Sequence, residues 1–564
     1  MLALLQTTVD LAAIAKQTTQ LITPEVVLLI FACGALILDT MLSETQKRLL
    51  AWVSLAGVTL SFVSLVVLYT SVLPASNSSR TGFFEMLVID HYAFIFKAIF
   101  LIGAGIVLVL ISQSSVGIKR GGAVYPLLLF AVVGMMFMAS SIDLLMMFVS
   151  LELLAIAVYI LVGFSSRKQR TRQAAIRYFL FGAFSSAIFL YGVSLLYGMT
   201  GSTNLTNIAT ALPVIISKGY DPLGIPADVR YLVLIAILLL TVGLGFKIAA
   251  VPFHSAEADA YEKTQPALAA FVSVGVKVAC FALFGRLFLY GLADVRGTLA
   301  GDPATNTRGV PGWAILLSVV AVLTMIWGNV AALREKSLKR LLAYSSIAQA
   351  GYILLGLIAG NERGYNGFVI HLLAFTLMNL GVFGCLLAIR RAGITGDSID
   401  NLNGLRKRSP LLAGLMTLFV ASLIGIPLTA GFTGKYNLFL GLIETRYPWL
   451  VRLAILAIVM SVVSLVYYGK LLRAMFMAKA PEETANLWQQ NSNRNASMPL
   501  RLALLFCGVL LLVIGIFPQP FTALTAKAAV YKAYDYNNPK PVGAGTKIAE
   551  PPTPQPPVTR PGAR

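Results

Sequence analysis

A chain of 564 residues that is 57% hydrophobic and only 12% charged, with a mean hydropathy of +0.80, carries more apolar surface than a soluble core can hide. Its formal charge of +20 would point to a polyanion partner in a soluble protein, but here the basic residues fall in short clusters between apolar runs, which is membrane topology and excludes a nucleic-acid reading. Cys33, Cys280, Cys385 and Cys507 stand alone within apolar runs, without CxxC spacing, and read as small buried apolar residues and not as metal or cluster ligands.

Taken in chain order, Met1–Leu21 lacks a basic start and a clear cleavage site and does not read as a removable signal peptide. Runs of about twenty apolar residues then follow, each long enough for a helix to cross a bilayer. About fourteen such spans are expected, near 24–42, 49–73, 92–113, 122–140, 142–163, 175–199, 231–253, 266–292, 311–333, 341–359, 366–389, 409–442 (interrupted), 450–477 and 499–518. Connections after odd-numbered spans hold Lys47 and Arg48, Lys119 and Arg120, Arg167 to Arg172, Arg334 to Arg340, Arg390 to Arg408, and Lys479 with Arg494. Even-numbered connections hold few basic residues, so the odd ones belong in the cytoplasm and both termini on the far side. The connection after the seventh span is the exception, acidic with Glu257, Asp259 and Glu262. From Tyr534 the chain turns to Asn, Gly, Lys and Pro and reads as a disordered or extended tail, and no long amphipathic helix follows the last span.

Charges inside the spans carry the chemistry. An ionisable side chain at membrane depth costs roughly 3 kcal/mol on insertion scales and is by default a functional feature. Lys247 lies in the seventh span, Lys277 in the middle of the eighth, Lys435 in the second part of the twelfth, and Glu152 near the middle of the fifth. If Glu152 approaches Lys247, its charge holds the lysine's proton, and separating the pair lets desolvation release it. The alternative roles are snorkelling or structural pairing for Lys247, and capping of broken-helix carbonyls for Lys435. Lys97 and Arg286, near span ends, read as snorkelling residues, and Asp39 as interfacial. His254 either relays protons or is a hydrogen-bonded structural histidine, and His371 has the same two readings.

Two spans contain helix breakers: Pro252 in the seventh, and Gly425, Pro427, Gly431 and Gly434 in the twelfth. Interrupted helices at membrane depth suit ion-translocating proteins built from repeats. Their spacing of five gives repeats of spans four to eight and nine to thirteen. The expected fold is an all-α polytopic membrane protein with broken helices 7 and 12. Its divisions are an N-terminal segment (1–23), three leading helices (24–121), repeat one (122–292), repeat two (311–477), a last helix (499–518) and the proline-rich tail (534–564).

Several motifs in matching order are recognisable: Ser150-Leu151-Glu152-Leu153-Leu154, Arg177 to Ala187, Gly243-Leu244-Gly245-Phe246-Lys247 with Val251-Pro252-Phe253-His254, Lys339 to Ala348, Met378-Asn379-Leu380-Gly381, and Gly425-Ile426-Pro427 through Gly434-Lys435. Together they resemble the N-subunit family of respiratory NADH:quinone oxidoreductase, complex I, over roughly residues 24 to 518. The resemblance implies a fourteen-helix fold with two inverted five-helix repeats. It also implies proton translocation through Glu152, Lys247, Lys277 and Lys435 on a hydrated axis. It implies no cofactor in this chain, with NADH, FMN, iron–sulfur clusters and quinone handled by partner subunits. The partners implied are other membrane-arm subunits, neighbouring antiporter-like subunits and the lipid bilayer, in a bacterial inner membrane with both termini periplasmic. A cation/proton antiporter or membrane-bound hydrogenase relative is the nearest alternative, and a structural scaffold that pumps nothing is the alternative from another class. The chain departs from the family pattern at Gln349, where many relatives have histidine, and at Ala256-Glu257-Ala258-Asp259, where the usual run is Trp-Thr-Pro-Asp. Arg177 replaces a common lysine and keeps the charge but not the proton lability.

Overall fold

Apolar side chains all round a helix leave it no polar face for water, so such helices must bury themselves in protein or lipid. The computed structural model describes residues 20–43, 46–72, 80–114, 122–164, 169–218, 229–297, 312–394, 396–481, 486–488 and 497–528. The proline-rich tail, residues 1–19, and the basic residues Lys119, Arg120, Arg167, Lys168, Arg308 and Arg494 lie outside these. Within the described residues, eleven helices are long and apolar enough to cross a membrane, and three shorter apolar helices accompany them.

The first helices are α1 (Thr23–Met41), α2 (Leu49–Val72), α3 (His91–Ser112), α4 (Val124–Ser140), α5 (Leu144–Phe164) and α6 (Gln169–Thr200). A small antiparallel hairpin, β1 (Arg80–Gly82) with β2 (Leu87–Ile89), precedes α3 and pairs Thr81 with Val88. A short helix not expected from the sequence, α7 (Leu205–Lys218), precedes α8 (Val229–Lys247) and α9 (Ser255–Lys263). The chain continues through α10 (Pro266–Gly291), α11 (Trp313–Arg334), α12 (Leu338–Ala359) and α13 (Glu362–Arg391). It ends with α14 (Pro410–Ile424), α15 (Ala430–Glu444), α16 (Pro448–Phe476), α17 (Met498–Ile516) and the nine-residue α18 (Gln519–Lys527).

Burial sorts these helices into a centre and a rim. The most apolar stretch of α10 is wholly buried and those of α12 and α13 are 94% buried, against 28% for α1 and α16. The polar axis therefore runs through α10, α12 and α13, while the rim helices turn large apolar residues such as Ile37, Val63 and Val462 outward. Cys33 is exposed on α1, contrary to its reading as a buried residue, because α1 is a rim helix whose outer face suits lipid.

Two further expectations fail for one reason. Lys97 and Arg286 do not snorkel, since each is only 2% exposed and finds a carboxylate from a distant helix end. Lys97 Nζ lies 2.6 Å from Glu25 in the first turn of α1. The Arg286 guanidinium grips Asp90, the N-cap of α3, with both terminal nitrogens at 2.5 and 2.6 Å, and also donates to the Ala139 carbonyl at 3.1 Å. Such a fork-to-carboxylate fit is the strongest form of ion pair. Removing one member of a buried pair costs about 3–5 kcal/mol because the other is stranded. Arg286→Met is therefore expected to lower the thermal stability of the protein sharply, measured as loss of the detergent-solubilised fold on heating, while Arg286→Lys loses only part of it.

Candidate functional site

Helix α8 stops at Lys247 because the next residues leave helical geometry: Ala249 has a φ of +56° and Pro252 lacks the N–H a helix would need. The break is satisfied within protein, as such breaks must be at membrane depth. The Ala249 and Ala250 N–H groups donate to Phe246 and Gly245 carbonyls, and the Val251 N–H donates to Thr324 Oγ1 on α11 at 3.0 Å. Lys247 is thereby held 5% exposed at the end of its helix. Its Nζ donates to Tyr159 Oη at 2.8 Å and to the Gly182 carbonyl at 3.4 Å.

The expected pairing of Glu152 with Lys247 is not formed: no ion pair joins them among the described residues. Tyr159 takes the lysine instead, two turns further along α5, or about 10 Å at the rise of an α-helix. One Glu152 carboxylate oxygen, Oε1, is buried with no hydrogen-bond partner.

Lys277 follows a stretch of α10 wound as π-turns, Val272–Val276, and a second such stretch, Gly285–Gly291, surrounds Arg286. These turns widen the helix and re-aim the side chains after them. Lys277 is 1% exposed, with Nζ 2.7 Å from Ser346 Oγ on α12 and 2.8 Å from Glu257 Oε1 on α9. This corrects the reading of the acidic segment after the seventh span as a simple connection. The segment is the helix α9, and its Glu257 is buried against the central lysine. Lys339 of α12 fixes the far end of α9, donating to the Glu262 and Thr264 carbonyls where a helix C-terminus favours a cation.

Ser346 is three residues from Gln349, on the same face of α12. Gln349 Nε2 donates to the Leu423 carbonyl at 3.1 Å, and its Oε1 accepts from His371 Nε2 at 2.9 Å. Helix α14 ends at Gly425, whose φ of +93° suits glycine, and Thr429 caps the start of α15. Lys435 reaches back across this break and donates to the Leu423 and Ile424 carbonyls at 2.9 and 3.0 Å and to Ser461 Oγ at 3.1 Å. Its three N–H donors thus have three acceptors. Its ammonium lies 4.8 Å from the centre of the Tyr352 ring. The capping geometry, the alternative reading of Lys435, is present, and it places the charge on the negative end of α14.

The structure thus brings Glu257, Lys277, Ser346, Gln349, the Leu423 carbonyl and Lys435 into one buried line, with His371 beside it. Lys247 is at the other end, against Tyr159, and no direct side-chain contact links it to Lys277 among the described residues. His254 is half-buried, its ring 5.5 Å from that of Trp327, and it reaches none of the three lysines. Arg177 lies at the surface, 3.9 Å from Asp259. Sequence reasoning missed Tyr159, Ser346, Tyr352 and Glu257 as contacts of the three lysines. For Glu257 a signal existed, the carboxylate standing where the family pattern has threonine. Among the described residues no three His, Cys, Asp or Glu side chains come together as a metal site, and the cysteines are unbridged.

Comparison with known proteins matches the chain's sequence and fold to one family. The family model described as NADH:quinone oxidoreductase/Mrp antiporter, TM, matches residues 141–461. NADH-quinone oxidoreductase subunit N 2 of Solibacter usitatus is 39% identical over 509 residues, covering 89% of this chain and 96% of that protein. Subunit N 1 of Koribacter versatilis is 40% identical over 508 residues, covering 88% and 93%. Among solved structures, a chain of respiratory complex I from Thermus thermophilus with bound aureothin superposes with a TM-score of 0.66 at 29% identity, covering 89% of this chain and 99% of that one. A chain of the Mrp complex from Dietzia sp. gives a TM-score of 0.73 over 91% of this chain and 98% of its own, and at 22% identity the likeness is one of fold alone.

Proposed function

We infer the role of this protein from one premise: the chain belongs to the NADH:quinone oxidoreductase/Mrp antiporter family and, within it, to the subunits N of NADH-quinone oxidoreductase. It is a proton-translocating membrane subunit of that enzyme, and couples electron transfer in partner subunits to proton movement through its buried axis. The observation that carries this reading is the set of three buried lysines, each held by exchangeable hydrogen-bond partners and not by packing alone. A purely structural lysine would be a costly choice at such depth, where an apolar side chain of similar volume serves packing at least as well.

Protons enter from the cytoplasm by way of Lys247, cross at Lys277 and leave past Lys435 toward the periplasm. Glu152, with an unsatisfied oxygen on α5, biases the Lys247 end when a conformational change moves the lysine off Tyr159, and His254 is a candidate entry relay. The fold behind this path comprises fourteen membrane helices: three leading helices (24–121), inverted repeats (122–292 and 311–477) each with a broken helix, and a last helix (499–518). Both termini lie in the periplasm of a bacterial cell with this subunit in its inner membrane. NADH, FMN, iron–sulfur clusters and quinone belong to partner subunits, and neighbouring antiporter-like subunits flank this one in the membrane arm.

The test is isolation of an affinity-tagged copy of the chain from mildly solubilised membranes. NADH:quinone oxidoreductase activity is expected to co-purify with the tag in proportion to the chain. Recovery in a stable assembly without NADH-oxidising activity would assign it to an antiporter-type complex instead.

A further inference from the structure

We propose that Glu257 is itself a proton carrier of the axis, exchanging its proton with Lys277 and receiving the incoming one on the carboxylate oxygen that has no partner. The inference rests on the translocation reading above. Its basis is geometric. Glu257 Oε1 lies 2.8 Å from Lys277 Nζ and also accepts from the Tyr261 hydroxyl, while Oε2 is buried and has no hydrogen-bond partner. An unpaired buried acceptor is costly, which leaves Oε2 open to an incoming proton.

Its position also bridges the two ends of the path. Helix α9 packs against both α6 and α12, the helices that carry Tyr178 and Ser346. Tyr178 is buried within the field of Glu257 and packs edge-on against Tyr159 at 5.5 Å between ring centres, and Tyr159 holds Lys247. Glu257 therefore touches the central lysine from a helix packed on the one whose Tyr178 abuts the tyrosine that holds the first lysine. A threonine at this place, as in the usual pattern, offers a hydroxyl but no ionisable group.

The proton steps balance. Take the pair with Lys277 as an ammonium and Glu257 as a carboxylate. Moving one proton from Nζ to Oε1 breaks an N–H bond, forms an O–H bond, and leaves an amine beside a carboxylic acid. The pair is net neutral before and after, so the step separates no charge in the dry interior. A second proton arriving at Oε2 of the charged pair gives acid plus ammonium, net +1. That charge leaves from Nζ on the Ser346 side, toward Gln349 and Lys435.

The experiment uses the assembled complex in membrane vesicles with Glu257→Gln and Glu257→Asp, and with Lys247→Ala alongside. Assembly is followed on native gels, turnover by NADH-driven quinone reduction, and pumping by a pH-sensitive dye. Glu257→Gln is expected to assemble yet lose turnover by on the order of ten-fold or more, with a smaller gradient, and Glu257→Asp to restore most of both. A Gln variant that turns over and pumps like wild type, or an Asp variant as impaired as Gln, overturns the proposal. Where Gln does not assemble, the reduced-minus-oxidised infrared spectrum decides. A carboxylic C=O band that shifts in D2O and moves in Glu257→Asp supports the proposal, and a spectrum without an Asp-sensitive band overturns it. If Lys247→Ala pumps normally, the translocation reading fails as a whole; if Lys247→Ala is inactive while Glu257→Gln is normal, only the role of Glu257 fails.

Discussion

Lys277→Met is expected to stop proton pumping and to destabilise the protein, and Lys277→Arg to separate the two effects. Methionine strands Glu257, buried at 7% exposure and paired with Lys277 at 2.8 Å, and stranding one member of such a pair costs about 3–5 kcal/mol. Arginine keeps a cation beside the carboxylate and so restores assembly, but a guanidinium does not give up its proton in a protein. A positioned proton carrier contributes on the order of 100-fold or more to a proton-transfer step. The Arg variant is therefore expected to be assembled and nearly inert in gradient formation. The measurement is dye-monitored acidification of inverted vesicles, normalised to assembled complex. An Arg variant that pumps at wild-type rate would show that the charge at 277 matters and its proton does not.

The second large effect is expected at the broken helix. A methyl group on Gly431 would stand 1.9 Å from the Ser422 carbonyl oxygen, and the contact is with backbone that cannot simply rotate away. Gly431→Ala must push α15 off α14, and with it move Lys435 away from the Leu423 and Ile424 carbonyls. Overpacking of this kind costs about 1–3 kcal/mol. The variant is expected to assemble in reduced amount, to inactivate at lower temperature, and to lose gradient formation more than stability alone explains. Gly414→Ala on α14, where a methyl group meets nothing within 4 Å, is the control and is expected to behave as wild type. Equal behaviour of the two variants would remove the close approach of the half-helices as a functional requirement.

The apolar runs were legible in the sequence because hydropathy reports solvent directly, and the described residues hold eleven helices apolar and long enough to cross a membrane with three shorter apolar ones. The lysines were legible for the complementary reason, since a charge inside such a run needs a cause. Their partners were not. Lys97 and Arg286 looked like snorkelling residues because they lie near span ends, while Glu25 and Asp90 sit at the ends of other helices, far away along the chain. Pairing across helices is a tertiary fact that no local pattern encodes.

Glu257 shows the same limit from the other side. Its neighbours Asp259 and Glu262 make the segment read as an acidic connection. Only the packing of α9 between α6 and α12, with Lys339 holding its C-terminal carbonyls, turns one face of it inward. The pairing of Glu152 with Lys247 was inferred from charge alone; the carboxylate lies near enough to act on the lysine, but the direct contact is taken by Tyr159. The π-wound turn ahead of Lys277 has no sequence signature here beyond Gly275, which lies within it.

That the buried lysines move protons is put to the test by Lys247→Ala. Lys247 donates to a tyrosine hydroxyl and a carbonyl, so its removal breaks no ion pair and the protein is expected to assemble. Vesicles bearing the variant are assayed for NADH-driven quinone reduction and for gradient formation, with assembly checked on native gels. An assembled complex with turnover or pumping lost is expected. Assembly, turnover and pumping all at wild-type level would contradict it and leave the lysine a structural residue.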